Sequence, residues 1–178
     1  MSVQVILESI QSSAVADWMR TTNPAMQVVE AAHVLAAVMV LGTVLIVDLR
    51  LMGVADASRA FSRVSRETLP LTWAAFCAAV ITGSLMFSTS AVTYFGNPAF
   101  QLKALALLAA GLNMALFQVS TARSAAAWAI GTPPRAARIA GLVSLLLWAA
   151  VVLLGRWIGF TKGYDFTIPP GVELVLPR

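Results

Sequence analysis

Four long apolar runs dominate the chain, and most of the charged side chains lie between them. The runs span about residues 25–48, 69–88, 98–120 and 135–160, each close to the roughly 20 residues with which a helix crosses a hydrocarbon core. Asn23-Pro24 and Asn97-Pro98 precede two of the runs and predict Asn as the N-cap with Pro at the first helical position. The pattern predicts an all-α fold, a polytopic membrane four-helix bundle over residues 23–160.

The segments that flank these runs are more polar. Residues 1–22 place apolar side chains at helical spacing opposite Gln4, Glu8, Gln11 and Asp17, which predicts an N-terminal amphipathic helix, an interfacial segment on a membrane surface or against the bundle. A frayed tail is the alternative. Residues 52–68 predict a short amphipathic surface helix before the second span, and residues 161–178 are too polar to span and predict a tail.

Composition agrees with a membrane protein. Of the 178 residues, 59% are hydrophobic and 11% are charged, with a mean hydropathy of +0.82, whereas soluble domains are about half apolar and a quarter charged. A net charge of +4 in a soluble domain would suggest nucleic acid. Here the arginines lie in loops between apolar spans, so we predict the lipid bilayer as a partner and no nucleic acid. Cys77 is the single cysteine, so no disulfide forms within the chain.

The distribution of basic residues predicts the orientation. The linkers after spans one and three hold seven arginines, whereas the N-terminal segment, the middle link and the tail hold only Arg20, Lys162 and Arg178. Lysine and arginine stay on the cytoplasmic side of a membrane. The counts therefore predict a multi-pass protein of the bacterial inner membrane, with both termini, and so the tail at 161–178, in the periplasm.

Four ionisable side chains interrupt the apolar spans at the level expected to face outward. They are Glu30, His33, Lys103 and Arg156. Ionisable groups at membrane depth are costly and usually mark a functional site, and His33 is the only histidine in the chain. Met26 and Met86 fall at the same predicted level.

Helical periodicity predicts how these side chains face one another. At 100° per residue, His33 belongs to a stripe with Met26, Glu30 and Val40, and Lys103 to a stripe with Ala106 and Ala110. If the stripes face each other, His33 and Lys103 share a pocket. The structural alternatives are a histidine that hydrogen-bonds neighbouring helices together, and cations that extend to the membrane surface. The partner of Glu30 stays open between His33, Lys103 and Arg156.

The segments HVLAAVMVLGTVLIVDLRLMG, which begins at His33, and NPAFQLKALALLAAGLNMALF, which contains Lys103, resemble an uncharacterised family of small bacterial four-helix inner-membrane proteins. More distantly, the chain resembles the HemJ-type protoporphyrinogen oxidases and the CopD-type copper-resistance membrane proteins, which also place a His on an early span and a Lys on a later one. In the HemJ type these two residues are associated with a b-type haem and with activity. The resemblance thus implies roles for His33 and Lys103.

Three hypotheses follow. The first is a b-type haem-binding redox or electron-transfer protein, an oxidoreductase or a subunit of one, in which His33 ligates the iron, Lys103 and Arg156 pair with the propionates, and Met26, Met86, water or nothing is the sixth ligand. Its partner would be a quinone or a periplasmic redox protein. The second is copper handling by His33, Met26 and Met86. The third is a cofactor-free membrane anchor for a periplasmic partner, and a homo-oligomer is compatible with all three.

We predict that a reporter fused after Arg178 signals the outer compartment and that one inserted between Arg123 and Pro134 signals the cytoplasm, because the arginine-rich linkers are retained inside. Paired alkaline phosphatase and green fluorescent protein fusions measure this. The reverse pair of signals would invert the orientation.

Overall fold

The computed structural model describes residues 2–54, 61–120 and 132–161, and within these ranges the chain forms helices and short turns without any strand. The helices are α1 (Val3–Gln11), α2 (Ala14–Thr21), α3 (Ala25–Met52), α4 (Phe61–Ser88), α5 (Ala91–Gly96), α6 (Pro98–Ser120) and α7 (Arg135–Thr161). Helices α3, α4, α6 and α7 are each long and apolar enough to cross a membrane. The predicted all-α fold with four spanning helices is confirmed, and it is consistent with a multi-pass membrane protein.

The four long helices pack in the order α4, α3, α7, α6. Helix α3 contacts α4 and α7 along extensive surfaces, and α7 also contacts α6, whereas the described backbones of α4 and α6 do not pack along their lengths. We call the end formed by the start of α3 the His33 end and the opposite end the Asp48 end. Helices α3 and α6 run from the His33 end, and α4 and α7 run towards it.

Aromatic side chains connect helices whose backbones do not meet. Phe87 of α4 stacks on Phe100 of α6 at the His33 end, with ring centroids 5.3 Å apart. At the Asp48 end, Phe61 and Phe117 join the same two helices edge to face at 5.9 Å. Phe76 of α4 and Trp148 of α7 meet near the middle of the bundle at 6.4 Å.

Small side chains fill the helix contacts, and large apolar ones face outward. The buried face includes Ala36, Ala75, Ala106, Ala110 and Ala137, while Leu35, Leu108 and Leu153 are each more than 60% exposed. This distribution is typical of membrane bundles, in which lipid covers the outer apolar surface and small residues let helix backbones approach.

The N-terminal segment forms two helices rather than one, and both lie at the His33 end. A new helix starts after Ser13, whose hydroxyl accepts a hydrogen bond from the Ala16 amide. The guanidinium of Arg20 donates to the carbonyls of Gln11 and Thr89. Because Thr89 follows α4, this side chain holds α2 against the bundle, which favours the packed segment over a frayed tail.

The two Asn-Pro pairs behave differently. Helix α6 begins at Pro98, and the Asn97 side chain accepts a hydrogen bond from the Ala99 amide at 2.8 Å, so the predicted cap is confirmed. Helix α3 begins at Ala25 instead, with Pro24 at the cap position and no capping side chain. The cap prediction at Asn23 is therefore wrong.

Two predicted boundaries also change. Residues 61–68 belong to α4 itself, and Pro70 lies inside that helix, so the separate surface helix over 52–68 is wrong where the structure describes it. The apolar period of residues 61–68 continues into the span, and spanning helices tolerate an internal proline. The first span continues beyond residue 48 to Met52, where Gly53 ends it in the left-handed conformation with φ of 76°. The linkers 55–60 and 121–131 and the tail beyond Thr161 lie outside the described residues.

Gly141 marks the closest approach of α3 and α7, which generates a prediction. A Cβ at this position would lie 2.9 Å from the Asp48 carbonyl oxygen, whereas a Cβ at Gly111 of α6 would meet nothing within 4 Å. We expect Gly141→Ala to lower the free energy of unfolding by about 1–3 kcal/mol through overpacking. Gly111→Ala should be neutral or stabilising by up to about 1 kcal/mol. Thermal unfolding in detergent measures both, and equal melting temperatures for the two variants would contradict the contact.

Candidate functional site

His33 is held inside the bundle by the turn of α4 that faces it. The ring is half-buried and lies eight residues into α3, about 12 Å from the helix start at 1.5 Å per residue. Its Nδ1 atom lies 3.0 Å from the Thr82 hydroxyl oxygen. Because Thr82 belongs to α4, this contact joins α3 to α4.

The hydrogen bonds of Thr82 determine which ring nitrogen carries the proton. Its hydroxyl donates to the Ala78 carbonyl at 2.6 Å, so its single hydrogen is already engaged and its oxygen acts as an acceptor towards His33. Nδ1 therefore carries the hydrogen and donates to Thr82. In the neutral imidazole this leaves Nε2 with a free lone pair, the arrangement found when a hydroxyl or carbonyl orients a metal-ligating histidine.

Gly83 makes room for the imidazole. A Cβ at this position would lie 3.1 Å from Cε1 of His33, closer than side chains normally approach. Small residues recur at every fourth position of this part of α4, at Ala75, Ala79 and Gly83, a pattern that lets spanning helices approach closely. The contact of Gly83 with His33 and the burial of Ala75, which is 5% exposed, show that this small-residue pattern faces a neighbouring helix.

Lys103 occupies a parallel position on the other side of the bundle. It is half-buried and lies against Gly155 of α7, where a Cβ would be 3.5 Å from the lysine Nζ atom. As with Gly83 and His33, a glycine on the neighbouring helix lies next to a polar side chain.

These groups share one level of the bundle. Thr82 and Gly155 each lie six residues before the end of their helix, and Lys103 lies five residues after the start of α6, which places all three about 8–9 Å from the helix ends. Aromatic side chains border the level on both sides, with Phe87, Tyr94 and Phe100 towards the helix ends and Phe76 and Trp148 towards the centre. The His33 site, defined as His33, Thr82, Gly83, Lys103 and Gly155, therefore lies within an apolar surrounding.

Glu30 and Arg156 lie at a similar level but do not face this site. Glu30 is exposed, and no ion pair or hydrogen bond reaches it within the described ranges. Arg156 is also exposed, and its guanidinium carbon lies 4.6 Å from the centre of the Phe160 ring. Its neighbour Gly155 makes the contact with Lys103. The topology predicted the level of Glu30 and Arg156 in the membrane. It did not predict the direction of their side chains, because neighbouring residues on a helix point about 100° apart around its axis.

Met26 and Met86 are both half-buried. Met26 and His33 are seven residues apart on α3, which corresponds to about 10 Å along the helix axis. Among the described residues, no group of three or more His, Cys, Asp or Glu side chains could hold a metal ion.

An open pocket of about 390 Å³ lies beside this region rather than against His33. Its walls come from the turn between α5 and α6 and from the end of α7, and they include Asn97, Trp157 and Thr161. The Asn97 side chain donates to the Thr161 hydroxyl at 2.9 Å. The polar groups of this pocket therefore already bind one another.

Sequence reasoning identified His33 and Lys103 but missed Thr82 and Gly155. Thr82 stands one residue before the glycine of the small-residue pattern, and Gly155 directly precedes Arg156. Their position on the helix could have identified them, because both residues lie on the inward face of their helices, opposite an ionisable residue.

Residues 24–161 match the model of one protein family, described as a family of unknown function (DUF6644). No curated protein and no solved structure matches the chain. The expected likeness to an uncharacterised family is thereby supported, and no similarity to the HemJ or CopD types is shown.

The hydrogen bond between His33 and Thr82 predicts a single tautomer. Since the chain has one histidine, an untagged protein labelled with nitrogen-15 histidine gives one pair of imidazole signals. We expect the Nδ1-protonated pattern, and we expect Thr82→Val to abolish it by removing the acceptor. Thr43→Val is the matched control, because that hydroxyl bonds only its own helix, at Met39 and Val40. An Nε2-protonated ring in the parent protein would contradict the assignment.

Proposed function

Since this chain belongs to the DUF6644 family, which has no assigned function, we propose one from the chemistry of the His33 site: a b-type haem-binding redox or electron-transfer protein of the membrane. His33 would hold the haem iron through Nε2, and Lys103 would pair with a propionate of the haem. The haem supplies a one-electron couple, and the helices supply the ligand, the charge and the apolar surrounding.

The orientation of His33 carries this proposal. An imidazole that served only to join helices would need one hydrogen bond, and the bond from Nδ1 to Thr82 at 3.0 Å fulfils that role. No described side chain forms a hydrogen bond with Nε2, which is the atom that binds iron when Nδ1–H is held by a hydroxyl or a carbonyl. Thr82 therefore acts as the orienting residue of the proposed ligand.

The remaining residues of the site fit the same group. Lys103 offers a charge-assisted hydrogen bond to a carboxylate inside an apolar surrounding, where such bonds are strong. Gly83 and Gly155 keep the contacts around both polar side chains free of Cβ atoms. The aromatic rings on either side offer flat apolar surfaces of the kind that pack against a porphyrin.

The proposed electron partner acts at the His33 end. The site lies about 12 Å or less from the helix ends, so a lipid-soluble quinone or a redox protein docked on that end comes within short range of it. If the predicted orientation holds, that partner is periplasmic. Copper handling is the less favoured candidate because Met26 and His33 lie about 10 Å apart along the axis of α3. The third hypothesis, a cofactor-free membrane anchor, is also less favoured because it gives the free Nε2 atom of His33 no role.

Absorbance of the purified protein tests the proposal directly. After expression with added haem precursor, we expect a Soret band in the parent protein, its loss in His33→Gly, and its recovery when imidazole is added to that variant. Recovery separates loss of a ligand from loss of the fold. A parent protein without a Soret band under these conditions would refute haem binding, and bound copper by metal analysis would favour the alternative.

Lys103→Met keeps the length of the side chain but removes its charge. We expect about 10- to 100-fold weaker haem retention, because a hydrogen bond to a charged group contributes about 1.5–3 kcal/mol. Arg156→Met, at the same level but packed on Phe160, is the matched control and should retain haem like the parent. Equal retention by the two variants would remove Lys103 from the proposed site.

A further inference from the structure

Asp48 is a carboxyl group buried at the end of the bundle opposite His33. The residue is 3% exposed, and its Oδ2 atom is buried without a hydrogen-bond partner among the residues that the structure describes. It lies within α3, four residues before Met52, so about 6 Å of helix separates it from the end of that span. Nothing in the proposed function uses this group.

One turn of α7, residues 140–144, packs against Asp48. Ser144 lies one turn along α7 from Gly141 and on the same face of that helix, the face that packs against Asp48. Gly141 lets the α3 backbone approach, as its position 2.9 Å from the Asp48 carbonyl oxygen requires. From the other side of α7, Asn113 donates to the Ala140 carbonyl at 3.0 Å.

The charged side chains on the neighbouring helices do not compensate this carboxyl group. Arg138 of α7 donates instead to the Met52 carbonyl at 3.2 Å. On α4, Arg63 lies 3.9 Å from Glu67 and both are exposed, as is Arg66. Arg50 of α3 is buried and has interactions of its own. The part of α6 at this end, from Asn113 onward, contains no charged residue. None of these groups reaches Oδ2.

An unpartnered carboxylate inside an apolar bundle is strongly unfavourable and becomes neutral by binding a positive species. A metal cation needs several oxygen ligands, six or more for calcium and magnesium. This position offers one carboxyl group and one hydroxyl group. A proton needs a single oxygen atom, so it is the ligand that the available groups fit.

We propose that Asp48 and Ser144 form a proton-binding site at the contact between α3 and α7, open to exchange with the aqueous phase at the Asp48 end. The carboxylate takes a proton from hydronium, which leaves water and a neutral carboxylic acid. Ser144 donates to the carboxyl oxygen that does not carry the proton. The site is independent of any haem at His33, and the two can fail separately.

Infrared spectroscopy of the reconstituted full-length protein tests the site. At neutral pH we expect a carboxylic-acid C=O stretch that shifts on deuteration and is lost in Asp48→Asn. Asp17→Asn is the control, because that carboxylate is exposed and lies 3.7 Å from Arg20; the band should persist there. Absence of the band in the parent, or its persistence in Asp48→Asn, would overturn the proposal.

Ser144→Ala provides a second test that keeps the carboxyl group. We expect the acid band to remain but to move to higher frequency, because a donor to its carbonyl oxygen is gone. An unchanged frequency would remove Ser144 from the site. Replacing an organic cation in the buffer with sodium should leave the band intact, and its conversion to a carboxylate band by sodium would identify a metal-cation site instead.

Discussion

A polar side chain among four apolar helices needs both a hydrogen-bond partner and room, and this double requirement organises the bundle. His33 obtains its partner from Thr82 and its room from Gly83 on the same turn of α4. Lys103 lies against Gly155, and the backbone of Asp48 lies against Gly141, one turn from Ser144. At each of these positions a glycine on one helix lies opposite an ionisable residue on another.

Helices α3 and α7 connect the two polar levels. Helix α3 carries both His33 and Asp48, which are 15 residues, or about 22 Å, apart along its axis. Helix α7 carries the groups opposite Lys103 at one end and opposite Asp48 at the other. Phe76 and Trp148 lie between these levels, so the apolar centre of the bundle separates the two.

The sequence predicted the four spanning helices well, because an uninterrupted apolar run of about 20 residues is a strong signal. It identified His33 and Lys103 as candidate site residues because ionisable residues are rare inside such runs. Thr82 escaped notice since hydroxyl groups in spanning helices commonly bond their own backbone, as Thr82 also does at Ala78. The sequence predicted that the first span ends at Asp48, because Arg50 follows it. Asp48 lies inside the bundle since α3 continues to Met52.

The contact between α4 and α6 differs in kind from the other helix contacts, because among the described residues it is made by two aromatic pairs rather than by close backbone packing. Side-chain rotation alone can break such pairs, whereas separating α3 from α7 would disrupt the contacts around Gly141. The boundary between α4 and α6 is therefore the weakest helix contact of the bundle. A lipid or quinone molecule from the bilayer can enter the bundle most easily between these two helices, at the level of His33 and Lys103.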